Sequence, residues 1–262
     1  MSNDFIDAFS FIGNEWSGTL QGLTVEHVVL SAKAVAISIV IGVPLGAVLG
    51  HLHRFSFLAI NTSNIARAIP SLALLAILLP YTGIGDTTMI IALVVLAGPP
   101  ILTNSYVAVD QVDPDTVDAA KGIGLKPWEV LAKVELPLAL PLIFAGIRTA
   151  AVFVVATATL QGFFGSGGLG NVIGDPASYG LRGVVGASYV LIVLAILVQL
   201  VFLGVEYAVT PAGLRRRSPR RRPARGGDPV PAEAEAGEPV GSSSLDQARA
   251  EQVHIQQGSN TR

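Results

Sequence analysis

Five stretches along the chain are apolar for about the ~20 residues that a helix needs to cross a bilayer core: His27–Leu49, Ala59–Leu79, Thr87–Val109, Leu138–Leu160 and Val184–Val209. None shows the period-two alternation of a half-buried strand, and polar segments separate them. The pattern predicts an all-α integral membrane protein with about five transmembrane helices. A sixth stretch, Phe5–Leu23, mixes Asp7, Asn14 and Glu15 with Phe9, Phe11, Ile12 and Trp16. That mixture predicts a helix lying at the membrane interface, or an irregular segment, rather than a span. Residues 1–26 are thus expected as an extracytoplasmic or interfacial segment, 27–210 as the membrane domain, and 211–262 as a separate tail.

Prolines punctuate the spans: Pro44, Pro70, Pro99, Pro100 and Pro141. Each deletes a backbone hydrogen bond and is expected to bend its helix. Basic residues in the short loops set the direction of crossing. His51, His53 and Arg54 follow the first span, Lys121, Lys126 and Lys133 lie between the third and fourth, and an arginine run follows the last. With five spans all three groups fall on one side, the cytoplasm. The N-terminus is then outside and the C-terminus inside, in a plasma-membrane protein.

Composition agrees. The chain is 51% hydrophobic and 14% charged, which excludes an ordinary soluble domain, and with no cysteine it has no disulfide or thiolate chemistry. The formal charge of −2 hides an asymmetry: residues 1–210 hold 8 basic and 13 acidic side chains, whereas residues 211–262 hold 9 arginines. Seven of those arginines lie between Arg215 and Arg225, beside a span, where anionic lipid rather than nucleic acid is the expected partner. The rest of the tail is rich in Pro, Ala, Glu, Ser and Gln, a composition expected to stay disordered in the cytoplasm.

The polar segment 113–137 is the most structured interruption. Asp113 can cap a helix whose first position is Pro114, and Asp115 and Asp118 suit the positive end of its dipole. Gly122 and Gly124 supply a turn. Pro127 opens a second helix with Trp128, Leu131 and Ala132 on one face, and Leu136-Pro137 is expected to close it at the membrane surface. Two short helices at an angle form a hairpin able to fill a groove on another protein.

The spacing Asp118-Ala119-Ala120, Gly124, Val134 and Leu136-Pro137 resembles the "EAA" loop of bacterial ABC importer permeases. Asp118 stands for the usual Glu and Val134 for the usual Ile. The segment Ala68-Ile69-Pro70-Ser71-Leu72-Ala73-Leu74-Leu75-Ala76 is similar to the osmoprotectant branch of that family, which imports glycine betaine, choline, carnitine or proline betaine. So are Gly83-Ile84-Gly85, Gly98–Asn104, Gly146–Ala150 and Gly167–Gly170. The resemblance implies the methionine-permease-like fold and a transporter subunit that is not itself an enzyme. ABC ATPase subunits would dock on 113–137 and bind the ATP, so this chain needs no cofactor or metal. A second permease chain and an extracytoplasmic substrate-binding protein would complete the assembly.

Other patterns carry less. Gly165-Ser166-Gly167-Gly168-Leu169-Gly170 fits G-x-G-x-x-G but follows a span rather than a strand, so a mobile turn near the outer mouth is expected, not a dinucleotide site. His51 and His53 lack a third metal ligand and are expected as basic interfacial anchors. Lys33 and Arg67 can snorkel to the membrane surfaces and Glu206 can meet the interface, but Arg148 lies roughly 16 Å along its helix past Pro137 and must find a partner. The aromatic residues Tyr106, Phe144, Phe153, Tyr189, Phe202 and Tyr207 are scattered, so no cation–π box marks a substrate site.

Overall fold

The computed structural model describes residues 4–54, 56, 57, 61, 63, 64, 68–164 and 167–210, all within one compact unit. Among them every regular element is helical. Helix α1 (Asp4–Glu15) passes through a π turn, Trp16–Leu20, into α2 (Gln21–His51). Then come α3 (Ser71–Thr82), α4 (Asp86–Asp110), α5 (Pro114–Gly122) and α6 (Pro127–Val130). A second π turn, Leu131–Glu135, joins α6 to α7 (Leu136–Thr157), which ends in a 3-10 segment, Ala158–Phe164. Last are α8 (Gly170–Gly174) and α9 (Pro176–Val209), the latter kinked at Gly180 (φ 66, ψ 176).

Among the described residues four helical runs are long and apolar enough to cross a membrane: Asp7–His51, Asp86–Asp110, Pro127–Phe164 and Pro176–Val209. They contain the first, third, fourth and fifth expected spans. The second differs. Pro70 does not kink a continuous helix: it is the N-cap of α3 in extended conformation (φ −64, ψ 120), so the described helix starts only at Ser71. Its 12 residues cover about 18 Å, short of a bilayer core of about 30 Å. Arg67 and the arginine-rich tail lie outside the described residues.

The most extensive helix contact is between α2 and α4, and its cause is a glycine every fourth residue. A Cβ on Gly42 would lie 3.3 Å from the Gly98 carbonyl oxygen, one on Gly46 would run into that of Leu102, and one on Gly50 would lie 2.6 Å from that of Tyr106. The two backbones therefore touch along three turns. In lipid, where apolar side chains gain little by leaving the tails, such close approach is a main source of helix association. Partners rise together along the two helices (42 with 98, 46 with 102, 50 with 106), so α2 and α4 are parallel, and the chain between them must return across the bundle.

Helix α7 runs antiparallel to both. Gly146 packs on Asn104 of α4, and the buried His27 at the start of α2 places Nε2 2.9 Å from the Val155 carbonyl oxygen near the end of α7. Leu75, Met89, Leu93, Ile101, Ile143, Ile147 and Val154 fill the space between these helices. Helix α9 lies outside them, with Ile192, Val193, Ile196, Leu197, Leu200 and Val201 more than half exposed.

The N-terminal segment is not irregular. It is a helix laid against α9: Phe11 fills the space left by Gly183 and Gly186, and the rings of Phe9 and Tyr189 stack at 5.3 Å. Small residues on α9 thus do for α1 what the glycine row does for α4. Gly46→Ala is expected to lower stability by about 1–3 kcal/mol, the range for overpacking a filled contact. Gly204→Ala, whose Cβ would meet nothing within 4 Å, serves as its control. Thermal unfolding of the two purified variants in detergent measures the difference, and equal melting temperatures would refute the close-contact account.

Candidate functional site

The polar hairpin projects from the end of the bundle where α2, α4 and α9 finish. Asp113 caps α5 as expected, its Oδ1 accepting from the Asp115 amide at 3.1 Å, with Pro114 at the first helical turn. The helix ends in a complete Schellman motif: the Gly124 amide donates to the Lys121 carbonyl at 2.9 Å and the Leu125 amide to the Ala120 carbonyl at 3.3 Å. Gly124 sits at the position that must turn left-handed, with φ +91, where a β-carbon is strained.

The second limb departs from expectation. Leu136-Pro137 does not close it. The limb runs on from Pro127 to Phe164 as one helical stretch, with the π turn placed just before Pro137. A proline removes one N–H and crowds the carbonyl four residues back. Widening the preceding turn to an i→i−5 bond, Leu136 amide to Leu131 carbonyl, lets the helix continue. Glu129 secures the start of the limb: it accepts from the Lys133 ammonium at 2.9 Å and from the Lys126 amide at 3.0 Å. These bonds, Lys133's foremost, hold its carboxyl below the ordinary value. A carboxyl so depressed helps the fold above its ordinary pKa and ceases to as pH falls through the lowered one.

The sequence-selected residues divide into two groups. Asp118, Ala119 and Gly124 are exposed at the tip, with Asp118 engaged by its neighbour Lys121 at 3.2 Å. Ala120 is buried, and Val134, Leu136 and Pro137 are half-buried where the hairpin meets the bundle. The tip also holds Ile123, 81% exposed, and Trp128, 63% exposed, with the Lys133 ammonium 6.0 Å from the indole. Ile123 was not singled out from sequence, although an aliphatic residue between two turn glycines is the available signal. Ile123 and Trp128 thus leave large apolar side chains exposed at the tip.

The two histidines are not free interfacial anchors. His51 Nδ1 lies 2.6 Å from Glu135 Oε2, and His53 Nδ1 lies 2.7 Å from Asp110 Oδ1. Among the described residues there is no group of metal ligands. Arg148 and Glu206, considered separately from sequence, meet across α7 and α9 with Nη1 3.4 Å from Oε2. That is an ion pair wider than a direct hydrogen bond, each side chain about three-quarters buried. The pairing was hidden because nothing local links residues so far apart.

At the opposite end, Glu26, Lys33 and Asp86 share a cavity of about 290 Å³ with Gly167. Residues 165 and 166 of the glycine-rich turn lie outside the described residues. Its next part is pinned rather than loose: the Gly168 amide donates to Glu26 Oε2 at 3.1 Å, and a Cβ there would run into the buried Gln161. Tyr106 is buried, Phe153 half-exposed, and Tyr189 already stacked on Phe9.

Residues 39–212 match the family of binding-protein-dependent transport system inner membrane components. The chain is 38% identical over 199 residues to the glycine betaine/carnitine/choline transport system permease protein OpuCB of Bacillus subtilis (strain 168), a match covering 76% of this chain and 92% of that relative. It is also 38% identical over 200 residues to the choline transport system permease protein OpuBB of the same organism, again over 76% and 92%. Among solved structures, an inward-facing conformation of the MetNI methionine ABC transporter aligns with a TM-score of 0.66 at 25% identity, over 73% of this chain and 96% of that one.

The Schellman turn makes a conformational prediction that is independent of any partner. Gly124→Val should loosen the turn by about 1–3 kcal/mol, whereas Gly124→Asn, a residue that tolerates left-handed backbone, should stay near wild type. Hydrogen exchange of the amides of residues 119–125 reads the difference. Equal protection in both variants would count against a conformational role for this glycine.

Proposed function

The chain belongs to the family of binding-protein-dependent transport system inner membrane components, and from that premise we propose that it is the permease through which an ABC importer takes up glycine betaine, choline or a related quaternary-ammonium solute. As a member of that family it is a multi-pass membrane protein and the transport component of its system. The hairpin tip is the observation that carries the mechanism: Asp118, Ala119, Ile123, Gly124 and Trp128 stand exposed on a capped, rigid turn outside the bundle. The substrate class is supported by the glycine betaine, carnitine and choline transport of the two relatives that match most of the chain.

In this reading the hairpin faces the cytoplasm, because Lys121, Lys126, Lys133 and Arg54 gather at its end of the bundle while the opposite end offers Arg182 and Lys33. The N-terminus is then outside and the chain leaves the last span inside. A partner ATPase receives the tip residues in a groove and binds the ATP; its closure displaces the hairpin and shifts the bundle between inward- and outward-facing states. Ala120, Val134, Leu136 and Pro137 act from beneath, fixing the hairpin to the helices that must move. A second permease chain faces this one across the pathway, and an external binding protein supplies the affinity, in keeping with the lack of an aromatic box among the described residues.

The test is uptake of labelled glycine betaine after a hyperosmotic shift, in cells with and without the chain, with choline, carnitine, proline and methionine as competitors. Uptake should require the chain and fall to background in Gly124→Asp. That change suits the left-handed backbone but adds a charge to the tip, so membrane insertion should be unchanged. Undiminished uptake by Gly124→Asp would remove the tip from the mechanism. Competition by methionine alone would move the substrate to the amino-acid class of the structural neighbour.

A further inference from the structure

We infer that His51 and His53 form a two-pronged clamp through which displacement of the hairpin reaches the first long span, and that they are positioning residues for transport; the inference rests on the import reading above. The argument starts from connectivity. The hairpin is covalently continuous with α4 at one root and with α7 at the other, so moving it pulls on both directly. Helix α2 has no such link, because its last residue is His51 and the hairpin begins at Asp113. Yet α2 is packed against α4 and α7 and must follow them.

Both roots of the hairpin are held from the same end of α2. Glu135, the last residue of the π turn at the second root, has a side chain only 3% exposed and accepts from His51 Nδ1 at 2.6 Å. Asp110, the last residue of α4 at the first root, accepts from His53 Nδ1 at 2.7 Å and, at 3.5 Å, from the Tyr106 hydroxyl. His53 reaches it from a left-handed backbone (φ 48), a conformation that non-glycine residues seldom adopt and that the surrounding contacts must hold. Two histidines separated by a single residue thus take carboxylates from two different elements. Both are side-chain hydrogen bonds between the end of α2 and the hairpin roots.

The other end of α2 gives the clamp something to move. From His51, α2 runs about 38 Å at helical rise back to the region where Glu26 binds the Gly168 amide and His27 the Val155 carbonyl. A helix of that length, stiffened by the glycine contacts with α4, carries a displacement at one end to the turn held at the other. The π turn at Leu131–Glu135 is where the hairpin can tilt against α7 without breaking the helix, and Glu135 lies at its membrane end.

The experiment uses the full transporter, with its ATPase and binding protein, in proteoliposomes, and reads solute moved per ATP hydrolysed. Wild type is measured first: absence of ATP-driven uptake there defeats the import reading, whereas the clamp is judged on the variants relative to wild type. His51→Ala and Glu135→Ala should each lower solute moved per ATP by about tenfold, within the usual span of coupling between sites, with assembly and basal hydrolysis retained. The double variant His51→Gln/Glu135→Gln, which keeps an uncharged hydrogen bond, should recover most of that loss. His53→Ala, at an exposed pair that the fold does not need, should lower the ratio by about threefold. An unchanged ratio in His51→Ala and His53→Ala overturns the clamp, as does a parallel fall of transport and hydrolysis, the mark of a merely structural pair.

Discussion

Everything in this bundle is referred to the backbone contact between α2 and α4. In a membrane there is no gain from hiding leucine from lipid, so helices hold together where their backbones come closest. Gly42, Gly46 and Gly50 give that proximity over three successive turns. Because α2 presents a glycine at each of these contacts, no rotamer on that helix can relax them. The parallel sense of the pair then dictates the rest of the topology. A return crossing must separate them, α7 must run back beside both, and the ends of α2 and α4 must emerge together next to the hairpin.

Charges within the bundle obey a second constraint, that an ionised group away from water must be paired. Arg148 meets Glu206, and the buried Glu135 carboxylate meets His51, each joining elements remote in sequence. Where pairs lie in the interior they fix the relation of helices that otherwise present smooth apolar surfaces to each other. The cost of breaking one side of such a pair exceeds the gain from making it, so they act more as locks on register than as sources of stability.

The apolar runs were legible in the sequence because span length is set by the bilayer and not by tertiary contacts. The hairpin was legible for the opposite reason: Asp113, Pro114, Gly124 and Pro127 act locally, through capping and turn chemistry, whatever surrounds them. What depended on distant partners was not legible. Pro70 read as a kink in a long helix and is instead the start of a short one. Leu136-Pro137 read as a stop, but one widened turn carries the helix past it. His51 and His53 read as anchors because Glu135 and Asp110 are remote in the chain. The glycine row at 42, 46 and 50 was present in the sequence, but nothing within it names the α4 residues it touches.

The tip of the hairpin and the glycine seam lie at opposite extremes of mutational freedom. On the seam any β-carbon acts as a wedge between two backbones, so the sequence there is frozen by the fold. Ile123 and Trp128, by contrast, have most of their surface free of intramolecular neighbours. Substitutions at those two positions can change the shape and chemistry of the hairpin's surface with little penalty to the helices beneath. A scaffold of this kind leaves one exposed surface free to change while its architecture stays fixed.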